Sequence, residues 1–87
     1  MSGFDLTGFV VTVEPSQFMV IEYAYDYRGS VRSWQQRVRG DFSISLVGET
    51  VTVPVSVRAI EWRGKTFLGV TASGEPRVIT GGDVHVL

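Results

Sequence analysis

The chain contains few side chains that could carry out chemistry, and they do not gather into a catalytic group. His85 is the only histidine, so a serine–histidine–acid triad could form only through it. No Gly-x-Ser-x-Gly turn supplies the serine. Glu22 and Asp26 share one face of a predicted strand, where each is expected to find a polar or oppositely charged partner across the ladder. We therefore predict no catalytic residues and a protein that is not an enzyme.

Ligand-binding motifs are equally sparse. The absence of cysteine excludes thiolate metal sites, and the acidic residues do not cluster with histidine at ligand spacing. Gly64-Lys65-Thr66 resembles the end of a phosphate-binding loop, but such a loop must lead into a helix, and this tripeptide falls in a predicted hairpin. Arg39-Gly40-Asp41 spells an adhesion tripeptide, which we interpret as a strand connection. We predict neither a metal nor a cofactor.

Length and composition indicate a single β domain spanning residues 1–87. With 44% hydrophobic and 20% charged residues, the chain is typical of a globular protein. Its apolar runs are far shorter than the roughly 20 residues of a membrane span, and its first residues do not resemble a signal peptide. We expect no membrane partner and a cytoplasmic or virion location. The net charge of −1 provides no overall basic field for nucleic acid.

The hydrophobic periodicity is two, which predicts strands. Valine alternates with small polar residues across Val51–Val57, and Phe42–Leu46 shows the same alternation. Glycine-containing dipeptides separate these runs and predict two-residue hairpin loops, because the first loop position needs a positive φ. The predicted loops are Gly29-Ser30, Gly48-Glu49, Gly64-Lys65 and Gly81-Gly82.

The segment after residue 29 could instead begin a short helix, and cross-strand pairing decides against that. A loop at residues 29–30 places Tyr25 opposite Trp34 and Glu22 opposite Arg37. Aromatic pairs and opposite charges directly across a ladder stabilise it by roughly 0.2–1 kcal/mol each. A helix offers no such pairs, so we predict a hairpin.

The same register continues along the chain. A connection at residues 39–41 would pair Phe42–Leu46 with this hairpin on one side and with the Val51–Val57 strand on the other. A change of parity between Val57 and Ile60 predicts a β-bulge or a barrel corner. With later strands at Arg77–Thr80 and 83–87, the pattern predicts an all-β fold. We expect an antiparallel meander of about seven or eight strands, closed as a small barrel or a two-sheet sandwich.

The hairpin around Pro15-Ser16 is apolar on both faces. Such strands are either buried between two sheets or exposed as a partner interface. The candidate protein interface comprises the residues predicted to share one of these faces: Phe9, Val11, Val13, Phe18 and Val20.

Aromatic and basic residues alternate in two other hairpins. Tyrosines and Trp34 share one predicted strand face near Arg32, and a second group of cations flanks Trp62. Single-strand binders use this combination to stack bases and follow phosphates. The tyrosine face continues into apolar strand positions, however, so we expect these aromatic residues to belong to the core, or to its edge with the tyrosine hydroxyls at the rim. The candidate polar or nucleic-acid contacts are Arg28, Arg32, Arg39, Arg58, Trp62, Arg63 and Lys65.

These observations favour a non-catalytic structural or assembly protein that acts through protein–protein contacts. Its partner would be a second copy of itself or a larger assembly such as a virion. One alternative is a small inhibitor or immunity-type protein that binds a partner protein. Another is a single-stranded nucleic-acid-binding β-barrel.

Overall fold

The computed structural model describes residues 2–79. The predicted turn at Gly81-Gly82, the predicted strand at 83–87 and His85 lie outside these residues. Six strands and one short 3-10 helix, Ile44–Leu46, make up the described fold. The strands are β1 (Ser2–Glu14), β2 (Phe18–Tyr27), β3 (Ser30–Arg39), β4 (Thr50–Trp62), β5 (Lys65–Ala72) and β6 (Arg77–Val78).

Five of the strands close into a barrel. Their order is β1-β2-β3-β5-β4, and β1 also pairs with β4, while β6 adds to β4. Every pairing is antiparallel except that of β3 with β5. The predicted all-β class is confirmed, and of the two predicted forms, barrel or sandwich, the structure has the barrel. Residues 2–79 contain six strands, fewer than the predicted seven or eight, and the predicted meander is wrong because β3 lies beside β5 and not beside β4.

The predicted strand Phe42–Leu46 does not form. In this segment the chain crosses from β3 to β4, and these two strands are not neighbours in the barrel. The Ser43 hydroxyl accepts a hydrogen bond from the Ser45 N–H at 3.2 Å, and this local bond favours the 3-10 turn over a sheet ladder. The connection is tied to β1 by the Gly48 N–H, which donates to the Val10 carbonyl at 2.9 Å. Phe42 still packs into the core, where only 5% of it is exposed.

Inward-facing residues of all five barrel strands form the core. The predicted alternation of β4 is confirmed, since Val51, Val53 and Val55 are completely buried. Opposite them, Met19 and Ile21 of β2 are also completely buried. The remaining buried apolar residues are Leu6, Val10, Val13, Val38, Phe42 and Val70.

A β-bulge in β1 changes which residues of this strand face inward. The register with β2 shifts between Val10 and Thr12, so Val11 has no partner in the ladder. As a result Val10 and Val13 both face the core, whereas Phe9 faces outward. The prediction that Phe9, Val11 and Val13 share one face is therefore wrong for Val13.

Two hairpin loops lie one residue earlier than predicted. Arg28 and Gly29 have φ values of 53° and 81°, and Arg63 and Gly64 have 52° and 75°. Positive φ at both central residues is the signature of a type I′ turn, whereas the prediction assumed type II′. The strand registers therefore move by two residues, and an even shift leaves every side chain on its predicted face.

The predicted bulge between Val57 and Ile60 is absent from the described ladder. The register of β4 with β5 is continuous from Val55 to Trp62. The parity of the apolar residues changes because β4 leaves the barrel wall after Val57, the last β4 residue that pairs with β1 among residues 2–79. Beyond this point every residue of β4 is exposed to solvent except Ile60, which is partly buried.

Candidate functional site

Two hairpins extend beyond the barrel. The first arm, residues 23–34, belongs to β2 and β3, and the second arm, residues 58–69, belongs to β4 and β5. The ladders of β1 reach only to Glu22 of β2 and to Val57 of β4, so each arm consists of its own two strands. The radius of gyration is 13.8 Å, compared with about 12 Å for a compact chain of this length.

The aromatic residues of the first arm all lie on one face. Tyr23 pairs with Trp34 and Tyr25 pairs with Arg32, and directly paired residues point to the same side of a sheet. The exposed fractions are 39% for Tyr25, 46% for Tyr27 and 52% for Trp34. Tyr23 packs against the core edge as predicted, whereas Tyr25, Tyr27 and Trp34 do not belong to the core. The arm is longer than the barrel wall, so nothing in the described fold covers its outer part.

Two arginines flank the outermost tyrosine of this face. The guanidinium carbons of Arg28 and Arg32 lie 5.3 Å and 5.2 Å from the centre of the Tyr27 ring. Such cation–π contacts contribute about 0.5–1 kcal/mol at exposed sites. They hold two positive charges beside a ring that remains about half exposed. The predicted contact residues Arg28 and Arg32 are therefore brought together.

The second arm carries the other predicted aromatic contact. Trp62 is 60% exposed, and the guanidinium carbon of Arg63 lies 4.4 Å from its ring centre. Lys65 pairs with Trp62 across the ladder, while Arg58 lies nearer the barrel, opposite Gly69. Trp62, Arg63 and Lys65 thus form a second exposed group, which lies on a different hairpin from the first.

A shallow groove lies between β3 and the second arm. It opens because β3 and β5 pair only at Arg39 and Thr71, so the strands diverge towards the arms. The groove has a volume of about 140 Å³, with Gln36 on one side and Ile60 and Phe67 on the other. The predicted contact Arg39 lines the end of the groove that is next to the barrel.

Positive charge is concentrated on the strands that carry the arms. Residues 18–39 contain four arginines and two acids, and residues 58–69 contain three cations and one acid. These segments therefore carry +4 together, although the whole chain carries −1, so the rest of the chain carries −5. The net charge of −1 is therefore the sum of a basic region and a more acidic remainder, so it does not exclude a polyanionic ligand.

Of the predicted protein interface, the structure leaves Phe9 and Val11 exposed on β1 and buries Val13. Phe9 and Val11 are 45% and 37% exposed, Phe18 and Val20 are partly buried, and Val13 belongs to the core. The ring of Phe18 is covered by the guanidinium of Arg37, whose carbon lies 4.1 Å from the ring centre.

Sequence reasoning missed that the two arm tips are built alike. Each tip is an aromatic residue followed by arginine and glycine: Tyr27-Arg28-Gly29 in the first arm and Trp62-Arg63-Gly64 in the second. In both, the arginine adopts a left-handed backbone and stacks on the preceding ring. This repeated tripeptide is the signal that could have placed both turns correctly.

Other kinds of site find no support among residues 2–79. No helix there is long and apolar enough to span a membrane. Across the same residues, acidic and histidine side chains form no group that could hold a metal ion. No protein-family model, curated protein or solved structure matches this chain.

Proposed function

We propose that this protein binds single-stranded nucleic acid on the aromatic face of its first arm. The observation that carries the proposal is the exposure of Tyr25, Tyr27 and Trp34 on one face, with two arginines stacked against the Tyr27 ring. Bases of a single strand stack on such rings, and guanidinium groups contact the phosphates. A duplex keeps its base faces covered, so the arm selects unpaired strands.

The spacing of the rings suits an extended polymer. Residues two apart on a strand are separated by about 6.6–6.8 Å, so the rings of Tyr25 and Tyr27 form successive steps along the arm. The opposite face of this arm carries no aromatic residue, and its outer positions are Ala24, Asp26, Val31 and Ser33. Only one face of the arm therefore offers a stacking surface.

The barrel topology supports this use of the arm. The order β1-β2-β3-β5-β4, closed by β1 and with β3 parallel to β5, is the connectivity of the oligonucleotide/oligosaccharide-binding barrel. Barrels of this kind bind their ligands on β2 and β3. A fold alone does not assign a function. The +4 charge of the arm-bearing strands favours a polyanion over a neutral sugar.

The test is a salt titration of binding to fluorescently labelled oligothymidylate. Each phosphate neutralised on a single strand contributes about −0.7 to the slope of log K against log salt concentration. With roughly three to five such contacts, we expect a slope of about −2 to −4. A duplex of the same length and a neutral oligosaccharide serve as controls. Absence of binding in 50 mM salt, or salt-independent binding, would contradict the proposal.

Assembly through protein–protein contacts is the second candidate function. The observation that favours it is that β3 over residues 30–38 and β5 over residues 65–70 each have one edge without a partner strand in the described sheet. Such edges can add a strand from another chain. Phe9 and Val11 provide exposed apolar surface on β1. The inhibitor hypothesis has no comparable observation and stays a prediction.

Light scattering over a range of concentrations tests self-assembly. If copies associate through the outer face of β1, we expect the wild-type protein to form a defined oligomer. Val11→Asp should then be a folded monomer, because the interface would bury an unpaired carboxylate at a large cost in free energy. Val47→Asp is a matched control, since Val47 is 45% exposed on the connection before β4. A wild-type protein that stays monomeric would rule out self-assembly. An oligomer that survives Val11→Asp would exclude this surface.

A further inference from the structure

The barrel wall is almost open between β3 and β5. These two strands are parallel and, among residues 2–79, they pair only at Arg39 and Thr71. β3 pairs with β2 along its whole length and β5 pairs with β4 along its whole length, so each strand uses one edge for its hairpin. The other edges, residues 30–38 of β3 and 65–70 of β5, border an opening that we call the seam.

Each of these edges presents a row of backbone hydrogen-bonding groups to the seam. In a hairpin, alternate residues direct both their N–H and their C=O to the partner strand, starting with the pair that closes a two-residue loop. Tyr27 and Ser30 close the first loop, so the odd-numbered residues of β3 point away from β2. Arg39, the β3 residue that reaches β5, follows this rule. The same argument, applied to the second loop, gives the residues whose backbone groups face the seam: Val31, Ser33, Gln35 and Arg37 of β3, and Thr66 and Leu68 of β5.

The edge of β3 already accepts one hydrogen bond of the kind that a further strand would supply. Gln36 Nε2 donates to the Arg37 carbonyl oxygen at 2.9 Å, so a side-chain amide serves where no backbone N–H is present among the described residues. The groove beside Gln36 has a volume of about 140 Å³. Small-molecule pockets usually have about 300–1,000 Å³, so the groove has room for a side chain and is too small for such a ligand.

The side chains beside the seam differ between its two faces. Arg37 and Arg39 lie on the outer face, because Val38 between them is completely buried and successive side chains alternate. On the inner face, Val70 belongs to the core, and Leu68 shares its side of β5 but is 72% exposed. Neither β3 nor β5 contains an acidic residue. A strand in the seam would therefore have positive charge beside one of its faces and apolar side chains beside the other.

We propose that the seam binds an extended acidic segment of a partner protein, which adds a strand between β3 and β5. The inference rests on the second candidate function, assembly, and names the chemistry and the position of the partner. In this segment acidic residues, beside Arg37 and Arg39, alternate with apolar residues, beside Leu68 and Val70. Because β3 and β5 are parallel to each other, the segment can run antiparallel to both, which is the more stable pairing. A second copy of β3 is a poor occupant, since it would place three arginines against three arginines.

The first experiment measures binding of a capped, fluorescently labelled peptide of three Glu-Val repeats by anisotropy. We expect saturable binding, and much weaker binding of a Lys-Val peptide of the same length. N-methylation of the three glutamates removes the backbone donors that face one of the two strands, and it leaves the charge unchanged. We expect this modification to lower the affinity by at least about tenfold, because several backbone hydrogen bonds are lost together.

A proline on β3 tests the same edge from the side of the protein. The Gln35 N–H faces the seam and takes no part in the ladder with β2, and proline is tolerated at such edge positions. Gln35→Pro should lower the affinity for the Glu-Val peptide by about tenfold or more, because it removes a donor and obstructs the edge. Gln35→Ala keeps the N–H and is the matched control, with an affinity expected within about twofold of the wild type. Both variants should bind oligothymidylate as the wild type does, since the rings of the first arm are unchanged.

Several outcomes would overturn the inference. If the wild type does not bind the Glu-Val peptide, the seam takes no acidic strand, and self-assembly and nucleic-acid binding are still decided by their own titrations. If neither N-methylation nor Gln35→Pro weakens binding, the peptide does not use the strand edges. If alanine at both Tyr27 and Trp34 abolishes binding and Gln35→Pro does not, the peptide lies on the aromatic face. Wild-type oligomers that Gln35→Pro dissociates would make a second copy the occupant. Should Gln35→Pro not fold, the N-methylated peptide decides.

Discussion

Replacing Tyr27 and Trp34 together with alanine is expected to reduce the affinity for single-stranded oligonucleotides by at least about 30-fold. Each stacked base contributes about 1–3 kcal/mol by alanine substitution, and the two rings are not paired with each other in the ladder, so their effects should largely add. Fluorescence anisotropy with labelled oligothymidylate at constant salt measures the loss. The fold should persist, because both rings lie beyond the barrel wall and are about half exposed.

The matched control is Val31→Ala in the same arm. Val31 is 81% exposed and pairs with Asp26, so it lies on the face opposite the aromatic residues. Truncating it removes apolar surface from the arm without touching the proposed platform, and we expect an affinity within about twofold of the wild type. Equal losses for the two variants would mean that binding does not use the aromatic face, and an unaffected double variant would place the ligand elsewhere.

Replacing Gly8 with alanine should destabilise the barrel by about 3 kcal/mol, at the upper end of the cost of overpacking a core. Gly8 lies where β1 crosses closely over β2, just before the bulge. A methyl group at this position would lie 2.6 Å from the Glu22 carbonyl oxygen and would clash with Ile21. Ile21 is completely buried and the carbonyl belongs to the backbone, so relief requires the strands to move apart. The whole stability of an 87-residue domain is only about 4–13 kcal/mol.

Gly3→Ala provides the control for this prediction in the same strand. Here the nearest atom to the added methyl group is the Val55 carbonyl oxygen at 3.5 Å, which is an ordinary contact. Alanine also restricts the unfolded chain, so we expect a change within about 1 kcal/mol. Urea unfolding should show a much lower midpoint for Gly8→Ala at an unchanged m-value. Equal midpoints for the two variants would show that β1 and β2 tolerate separation at this crossing.

Local patterns along the chain were enough to predict several features of the molecule. Alternation of apolar and polar residues with a period of two implied strands, and Val51, Val53 and Val55 are buried as that pattern requires. Two of the glycine dipeptides, Gly29-Ser30 and Gly64-Lys65, located hairpin loops to within one residue, whereas Gly48-Glu49 follows the 3-10 turn and forms no hairpin loop. Because the registers are wrong by two positions, which is an even number, the aromatic residues and Arg32 were still assigned to one face. Each of these features depends on residues that are close together in the sequence, so the sequence alone is enough to predict them.

The type of each turn and the position of the bulge are harder to predict from local sequence patterns. Type I′ and type II′ turns both accept glycine, and choosing between them required knowing that Arg28 and Arg63 adopt positive φ. The bulge at Val11 leaves no mark in the apolar pattern, because β1 carries hydrophobic residues on both sides of it. This is why Val13 was grouped with the outward-facing residues although it lies in the core.

The sequence by itself determined the strands, most of their faces and the pairing of neighbouring strands into hairpins. Only the tertiary structure decided that β3 lies beside β5, because alternation shows which face of a strand is buried but not which distant strand lies beside it. That arrangement removed the predicted strand at 42–46 and closed the barrel. The tertiary structure also decided whether the aromatic residues are buried or exposed. The two hairpins are longer than the barrel wall they belong to, so rings with the pattern of a core became exposed on the arms.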